Sequence, residues 1–223
     1  MIHYHCADVN PASKLLELAG RHLIVSHAYP RCVDIAHHIA QSVALDNGAF
    51  SVWRSGKKHD WSGFYSWCDK WLDAPTTWAI IPDVIGGGVD IQDKLVSEWP
   101  HGDRGAPVWH LDEPIDRLLR LTDEWEKVCL GSSGEYSVIG DDRWHSRMTS
   151  AFNAVAKRGR LPWFHGLRMQ SVGHLYPFGS VDSADIARNH NRQQNTITKM
   201  AERWDRAQPP LGWNFIPEQQ EFI

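Results

Sequence analysis

The chain has 223 residues, a formal net charge of −4 and an apolar fraction of 42 %. This length allows one large domain or two small ones, and the apolar fraction is sufficient for an ordinary globular core. The acidic balance excludes a globally basic nucleic-acid binder, so any contact with nucleic acid requires a local basic face. The four cysteines are scattered, without the spacing of a zinc knuckle or a disulfide framework.

The sequence contains no apolar run that approaches the length of a membrane span. Its first residues, Met-Ile-His-Tyr-His-Cys, lack the basic and then apolar layout of a signal peptide. We therefore predict a cytoplasmic protein without a membrane partner, whose oligomeric state the sequence leaves open.

Short apolar runs typical of buried strands recur along the chain. They cover residues 2–7, 22–27, 42–46, 77–82, 106–111, 127–130, 163–169 and 178–181. Helical patterns lie at residues 12–19, 114–125, 144–158 and 185–204. Eight strands alternating with helices predict an α/β protein, a single compact (β/α)8 TIM-like barrel over residues 1–223. An open doubly wound sheet is the competing architecture, but no glycine fingerprint follows the first strand.

Polar residues follow several of the predicted strands at the point where each strand ends. Examples are Asp46, Asp83, His110 and Asp182. A single aspartate in such a place is most often a helix cap or a turn former. In a barrel, however, the loops after the strands build the active face, so these side chains are expected to meet. Two carboxylates in one pocket can do nucleophilic and acid–base work at one carbon atom.

Four segments together resemble motifs of the tRNA-guanine transglycosylases. Asp-Asn-Gly-Ala-Phe at residues 46–50 resembles that family's Asp-Ser-Gly-Gly-Phe motif, and Asp83 falls where the family places a base-recognising aspartate. Leu-Gly-Ser-Ser-Gly-Glu at residues 130–135 is similar to its Gly-Gly-Leu-Ala-Val-Gly-Glu segment. Gly-Ser-Val-Asp-Ser at residues 179–183 is similar to its nucleophile strand. The order and rough spacing agree across about three quarters of the chain.

Two departures from the family pattern refine the expectation. The tRNA enzymes carry a Cys-rich zinc subdomain after the barrel, whereas this sequence has no cysteine beyond Cys129. The chain therefore resembles the short, phage-associated branch that inserts 7-deazaguanine derivatives into DNA, which would place it in the host cytoplasm. The second departure is His110, which stands where the tRNA enzymes present a glutamine.

The resemblance implies a glycosyltransferase that replaces guanine in DNA by a free 7-deazaguanine base, with tRNA as the less favoured polymer and no cofactor. Asp182 is the predicted nucleophile, forming a covalent glycosyl intermediate, and Asp46 is the predicted general acid–base. Asp185 is the alternative nucleophile, but we expect it to begin the following helix, where a carboxylate is favoured by the helix dipole. Further substrate contacts are predicted for Asn47, Gly48, Phe50, Asp83, His110, Gly131 and Ser132.

Three groups of basic residues are candidates for contacts with nucleic-acid phosphates. The first follows the third strand, the second precedes the seventh and the third follows the eighth. They comprise Arg54, Lys57 and Lys58; Lys157, Arg158 and Arg160; and Arg188, Arg192, Lys199 and Arg203.

Two other functional classes are compatible with the sequence. A metal-dependent, amidohydrolase-like barrel is suggested by His3, His5, His110 and Asp182, although strand six offers no histidine and strand four no lysine. A non-enzymatic nucleic-acid-binding module is the other class. In that case neither Asp46 nor Asp182 has a catalytic role.

Overall fold

The computed structural model describes residues 1–216, in which parallel strands alternate with helices. The strands are β1 (Ile2–Cys6), β2 (His22–Ser26), β3 (Ser42–Asp46), β4 (Thr77–Ile80), β5 (Gly105–Ala106), β6 (Val108–His110), β7 (Lys127–Gly131), β8 (Trp163–Gly166) and β9 (Ser180–Ser183). The α-helices are α1 (Val33–Ile39), α2 (Ala49–Ser55), α3 (Trp61–Trp71), α4 (Val89–Ser97), α5 (Ile115–Glu124), α6 (Asp142–Ala156), α7 (Asp185–Asn189) and α8 (Ile197–Asp205). Short 3₁₀ helices cover Ala12–Leu18, Pro30–Cys32, Gly102–Arg104, Gly134–Tyr136 and Gly173–Leu175.

The strands form one nearly closed barrel. Their order is β5-β4-β3-β2-β1-β9-β8-β7-β6, and each neighbouring pair is parallel. The two ends of this order, β5 and β6, are separated in the chain by Pro107 alone. The Ile81 N–H donates to the Ala106 carbonyl (3.0 Å), and the Cys129 N–H donates to the Pro107 carbonyl (2.8 Å). This part of the chain therefore hydrogen-bonds to the β4 side of the sheet and to β7 on the other side. The predicted TIM-like α/β fold is confirmed.

Most predicted strands differ by a few residues from those of the structure, and two of the differences affect the site. The strand predicted over residues 106–111 divides into β5 and β6, because Pro107 has no N–H to give to the ladder. The strand predicted over residues 178–181 is β9 at Ser180–Ser183, so Asp182 lies within the strand rather than in the loop after it. The predicted domain runs to residue 223, and residues 217–223 lie outside the described residues.

The helices also differ in part from the sequence prediction. The helix expected over residues 12–19 is a 3₁₀ helix, with i→i+3 bonds such as Ala19 N–H to Leu16 O (3.1 Å). The helix expected over residues 185–204 divides into α7 and α8, and the segment between them contains Gln194 with a left-handed φ of 70°. No helix within residues 1–216 has both the length and the apolar character needed to cross a bilayer.

Side chains alternate between the inside and the outside of the barrel. The inward set forms a buried core of Tyr4, Ile24, Ala44, Trp78, Ile80, Ala106, Val108 and Cys129. The residues between them face outward and pack against the helices in two larger clusters. Because the side-chain period of a strand is two, Asp46 and His110 share the inward direction of Ala44 and Val108. The alternation therefore aims these polar groups into the mouth of the barrel.

The amino-terminal half of the barrel interior is filled. The Trp78 Nε1–H donates to the Tyr4 hydroxyl (2.9 Å), which hydrogen-bonds the Ser42 hydroxyl (3.0 Å). Below them, the Lys127 ammonium lies 4.0 Å from the Trp78 ring centroid, a cation–π contact. Burial lowers the pKa of Lys127. These contacts close the interior at one end, so that the open space lies at the carboxyl ends of the strands.

Two adjacent leucines in the first 3₁₀ helix give a matched test of the packing. Leu15 is fully buried in the core on the outside of the barrel, whereas Leu16 is 58 % exposed. We expect Leu15→Ala to lower the free energy of unfolding by about 2–5 kcal/mol. Leu16→Ala should change it by no more than about 0.5 kcal/mol. Urea unfolding of both variants measures the difference, and equal losses would contradict this packing.

Candidate active site

A cavity of about 670 Å³ opens at the carboxyl ends of the barrel strands. This volume is within the usual range of small-molecule sites, roughly 300–1,000 Å³. The cavity brings together most of the residues that the sequence marked for substrate chemistry. Those that line it are Asp46, Asn47, Phe50, Asp83, His110, Gly131, Ser132, Asp182 and Asp185, together with Arg54 and Arg188.

Asp46 ends β3 and has the environment of an acid–base group. Its carboxylate accepts hydrogen bonds from the Gly48 N–H (3.2 Å) and from the Ser26 hydroxyl. Burial raises the pKa of Asp46 to about 6, and the charges of Asp182 and Asp83 act in the same direction against the two hydrogen bonds. A carboxyl group that titrates near neutral pH can both donate and accept a proton.

Gly48 and Asn47 stabilise the loop after β3. The side-chain amide of Asn47 is already hydrogen-bonded to other residues of the protein. Gly48 has a φ of 79°, and a Cβ atom there would lie 3.1 Å from the Ala28 backbone nitrogen, so glycine is required. The Asn47 amide donates to the Ile81 carbonyl and to Asp83 Oδ1 (both 2.8 Å), and its oxygen accepts from the Ala49 N–H (2.8 Å). Asn47 therefore positions Asp83, and since it also lines the cavity, its predicted contact with a substrate stays a prediction.

Asp83 and His110 form a buried pair. Asp83 Oδ2 lies 2.9 Å from His110 Nε2. Burial lowers the pKa of His110, but the hydrogen bond and charge of Asp83, with the charges of Glu113 and Asp112, outweigh it and raise the pKa overall. His110 Nδ1 is buried and has no hydrogen-bond partner within residues 1–216. Each Asp83 oxygen retains a second lone pair, so Asp83 can still accept hydrogen bonds from a ligand.

Gly131 makes space for the His110 ring. A Cβ atom at this position would lie 3.0 Å from His110 Nδ1. The next residue, Ser132, accepts a hydrogen bond at its hydroxyl from the Trp144 Nε1–H (2.9 Å). The last residue of β7 thus lies against His110 Nδ1, the imidazole nitrogen that has no hydrogen-bond partner among the described residues.

Asp182 is held by one of its two oxygens. Its Oδ1 accepts from the Arg168 N–H (2.8 Å) and lies 3.4 Å from Nε2 of the fully buried His165. His165 Nδ1 in turn hydrogen-bonds the Ser180 hydroxyl (2.9 Å). Asp182 Oδ2 makes no hydrogen bond with any residue in the described part of the chain. The carboxylate is therefore oriented, with one oxygen available to a substrate.

Asp185 has a different role. Its Oδ1 accepts from the Asn189 side chain (2.6 Å), and its Oδ2 accepts from Trp204 Nε1 (2.9 Å) and from Arg203 (3.2 Å). It begins α7, as the sequence suggested. Because both oxygens are engaged in joining α7 to α8, the geometry favours Asp182 over Asp185 as a nucleophile.

Arg168 is a site residue that the sequence analysis did not identify. It follows β8 and lines the cavity, and its guanidinium carbon lies 3.9 Å from the Phe50 ring centroid. One face of the Phe50 ring is therefore covered by Arg168. The predicted strand over residues 163–169 gave no sign of the turn that carries Arg168. Ser26 was also missed, although its pairing with Asp46 in the β2–β3 register follows from the strand pattern.

The predicted phosphate-binding groups lie in different places. Arg54 and Arg188 line the cavity, and Lys57 and Lys58 are exposed in the link between α2 and α3. Arg192 is exposed just after α7. Arg158 and Arg160 precede β8 and thus lie at the opposite, amino-terminal end of the strands; Arg158 pairs with Asp123, and Arg160 donates to the Thr122 carbonyl (3.2 Å). The structure does not bring this second group to the cavity.

The ligand set suggested for a metal-dependent hydrolase is not assembled within the described residues. His3 Nε2 hydrogen-bonds the Ala207 carbonyl (2.8 Å), and His5 Nε2 hydrogen-bonds Asp205 (3.0 Å). These rings face the carboxyl-terminal helix, on the outside of the barrel, because they alternate with the inward Tyr4. Across residues 1–216, no three histidine, cysteine or acidic side chains are grouped as metal ligands.

The raised pKa of Asp46 predicts a pH-dependent effect on stability. The folded chain keeps this proton up to about pH 6, whereas an unfolded aspartate ionises near pH 3.9. Folding therefore loses stability as the pH rises between these values. Asp46→Asn should raise the free energy of unfolding at neutral pH by up to about 3 kcal/mol, at roughly 1.4 kcal/mol per pH unit, with the gain fading towards pH 4.

Denaturant unfolding of the wild type and the variant across this pH range measures the effect. Asp73→Asn, at an exposed position, is the matched control and should leave the pH profile unchanged. A loss of stability in Asp46→Asn at neutral pH would contradict the assignment.

Comparisons with known proteins provide no relative for this chain. No protein-family model, no curated protein and no solved structure matches it. The resemblance to the transglycosylases stays a prediction from motifs. The functional argument accordingly depends on the chemistry of the cavity itself.

Proposed function

We propose that the protein exchanges the base of a guanine nucleotide in DNA for a 7-deazaguanine derivative. The observation that carries the proposal is a single cavity in which two aspartates have unlike environments. Burial raises the pKa of Asp46 to about 6, whereas Asp182 is oriented by the Arg168 N–H, lies 3.4 Å from His165 Nε2 and has one oxygen unpaired among the described residues. This is the division between acid–base and nucleophile that two-step glycosyl transfer requires.

In the first step, Asp182 Oδ2 attacks C1′ of the sugar, and the bond from C1′ to the base breaks. The electron pair of that bond leaves with guanine, which takes a proton from the acid form of Asp46. In the second step, the incoming base gives its proton to Asp46, and its nitrogen attacks C1′ and displaces Asp182. Two inversions return the original configuration at C1′.

The Asp83–His110 pair is the proposed reader of the base. The free lone pairs of Asp83 suit the N1–H and amino donors of guanine, which adenine does not present. With Nε2 hydrogen-bonded to Asp83, a protonated His110 would carry a donor at Nδ1, the atom that is buried and unpartnered within residues 1–216. That donor suits the carbonyl oxygen of guanine. A histidine can therefore supply the contact for which the tRNA enzymes present a glutamine.

A base-exchange assay tests the reaction and the nucleophile together. The protein is incubated with 7-deazaguanine derivatives and with guanine-labelled duplex DNA, single-stranded DNA or tRNA. Asp46→Asn should slow guanine release by roughly 10²–10⁴-fold, the usual contribution of a general acid. Asp182→Asn should abolish it, and Asp185→Asn should retain it, because the Asp185 oxygens are engaged by other side chains.

Thermal unfolding of each variant is the control for folding. Release from tRNA alone would move the proposal to the tRNA reaction. Release from none of the three polymers would overturn it, and nucleic-acid binding that survives in Asp182→Asn without any exchange by the wild type would favour the binding module.

The position of the basic groups predicts which of them bind DNA. Joint replacement of Arg54, Lys57 and Lys58 by alanine should weaken binding of a guanine-containing oligonucleotide. It should also make the dependence of the binding constant on salt less steep. The magnitude of the slope of log binding constant against log salt concentration should fall by about 0.7–0.9 for each phosphate that is no longer neutralised. Joint replacement of Arg158 and Arg160 is the matched control, because these residues lie at the other end of the barrel. Fluorescence anisotropy at several salt concentrations measures both, and equal effects would contradict the proposed face.

A further inference from the structure

Two arginines, Arg168 and Arg188, line the cavity beside Asp182. Arg168 follows β8, and Arg188 lies in α7. Within residues 1–216, neither side chain makes an ion pair or a hydrogen bond. By contrast, Arg117 and Arg120 each bind Asp93. The two cavity arginines are thus neighbouring cations, and neither forms an ion pair with a described residue.

The position of Arg168 is built by several contacts. Its backbone has a φ of 59°, which is uncommon for a residue with a side chain and costs about 1 kcal/mol or more. In this conformation its N–H donates to Asp182 Oδ1 (2.8 Å), while its guanidinium lies on the Phe50 ring. A guanidinium that stacks by its face keeps its N–H donors free at the edge. Arg168 is exposed, so these donors are open to solvent and to a ligand beside Asp182.

Arg188 places a second positive charge near Arg168. Burial lowers the pKa of Arg168, Arg188 lowers it further, and Asp182 and Asp46 raise it without a direct hydrogen bond to the guanidinium. A bound anion with several acceptor oxygens would satisfy the edge donors and relieve the repulsion between the two arginines. Phosphate has the geometry that an arginine fork matches with two parallel hydrogen bonds.

We infer that Arg168 and Arg188 bind the phosphodiester next to the sugar that Asp182 attacks. The inference rests on the proposed function, because it takes the sugar position from the reaction at Asp182. In a polynucleotide the phosphates are attached to C3′ and C5′ of the same sugar as the reacting C1′, so a phosphate near the nucleophile is unavoidable. The site therefore takes a nucleotide within a strand and discriminates against a free nucleoside. Arg168 joins the two tasks, since its backbone orients the nucleophile and its side chain binds the phosphate.

Neutral phosphate analogues test this contact directly. The probes are single-stranded oligonucleotides with one guanine, in which a methylphosphonate replaces the phosphate on the 5′ or the 3′ side of that nucleotide. Wild-type binding, measured by fluorescence anisotropy, should weaken about tenfold for one of the two positions, which corresponds to about 1.4 kcal/mol. Arg168→Gly should bind the unmodified strand about tenfold more weakly and show no further loss with the analogue.

Glycine is the preferred replacement because it tolerates the left-handed backbone and keeps the N–H donor to Asp182. Arg168→Gln and Arg188→Gln should give the same loss of discrimination, and Arg160→Gln, remote from the cavity, should keep the full difference. Variants that retain the wild-type penalty at both positions, or a wild type indifferent to both analogues, would overturn the inference.

Titration with inorganic phosphate separates this inference from the proposed reaction. Phosphate should raise the melting temperature of the wild type and of Arg160→Gln, but not of Arg168→Gly. This result would support the anion site even if no oligonucleotide binds and the base-exchange proposal fails. A melting temperature that responds to phosphate equally in all three proteins would overturn the site even if base exchange is observed.

Discussion

The closure of the barrel around Pro107 is the constraint on which the site depends. A strand interrupted by this proline bonds to β4 through its first part and to β7 through its second. The chain thereby passes from one edge of the sheet to the other within a single residue. This places His110, at the end of β6, beside Asp83, which follows β4, with 2.9 Å between their side chains. In an open sheet the same two residues would belong to opposite edges.

Within that frame, two aspartates at the same end of the barrel acquire different chemistry from their neighbours. Asp46 is next to a glycine turn and a serine; burial raises its pKa, and the charges of two other carboxylates add to this effect. Asp182 receives a backbone N–H from Arg168 and lies near His165. The interior below both is filled by side chains, and hydrogen bonds in such surroundings are electrostatically stronger than in water. Under the proposed reaction, the burial of Asp46 and the hydrogen bond that orients Asp182 separate the proton donor from the nucleophile.

The barrel and the members of the site were largely predictable, because both follow from strand periodicity. Polar residues at strand ends, such as Asp46 and His110, must share the direction of the inward residues two positions earlier. The roles were less predictable. Asn47 belongs to a motif that suggested substrate binding, yet its amide is used by Ile81 and Asp83. Arg168 left no local signal, because its left-handed turn is fixed by contacts with Asp182 and Phe50, which are distant in sequence.

The packed amino-terminal half of the barrel has a consequence for the order of events. Tyr4, Trp78 and Lys127 fill the interior beneath the aspartates, so the cavity is blind at that end. Under the proposed exchange, the departing and the arriving base must use one entrance while the polymer stays covalently attached at it. The first base has to leave before the second can enter, which imposes a ping-pong sequence. The packed amino-terminal half of the barrel, rather than any residue that touches a base, would then determine the kinetic mechanism.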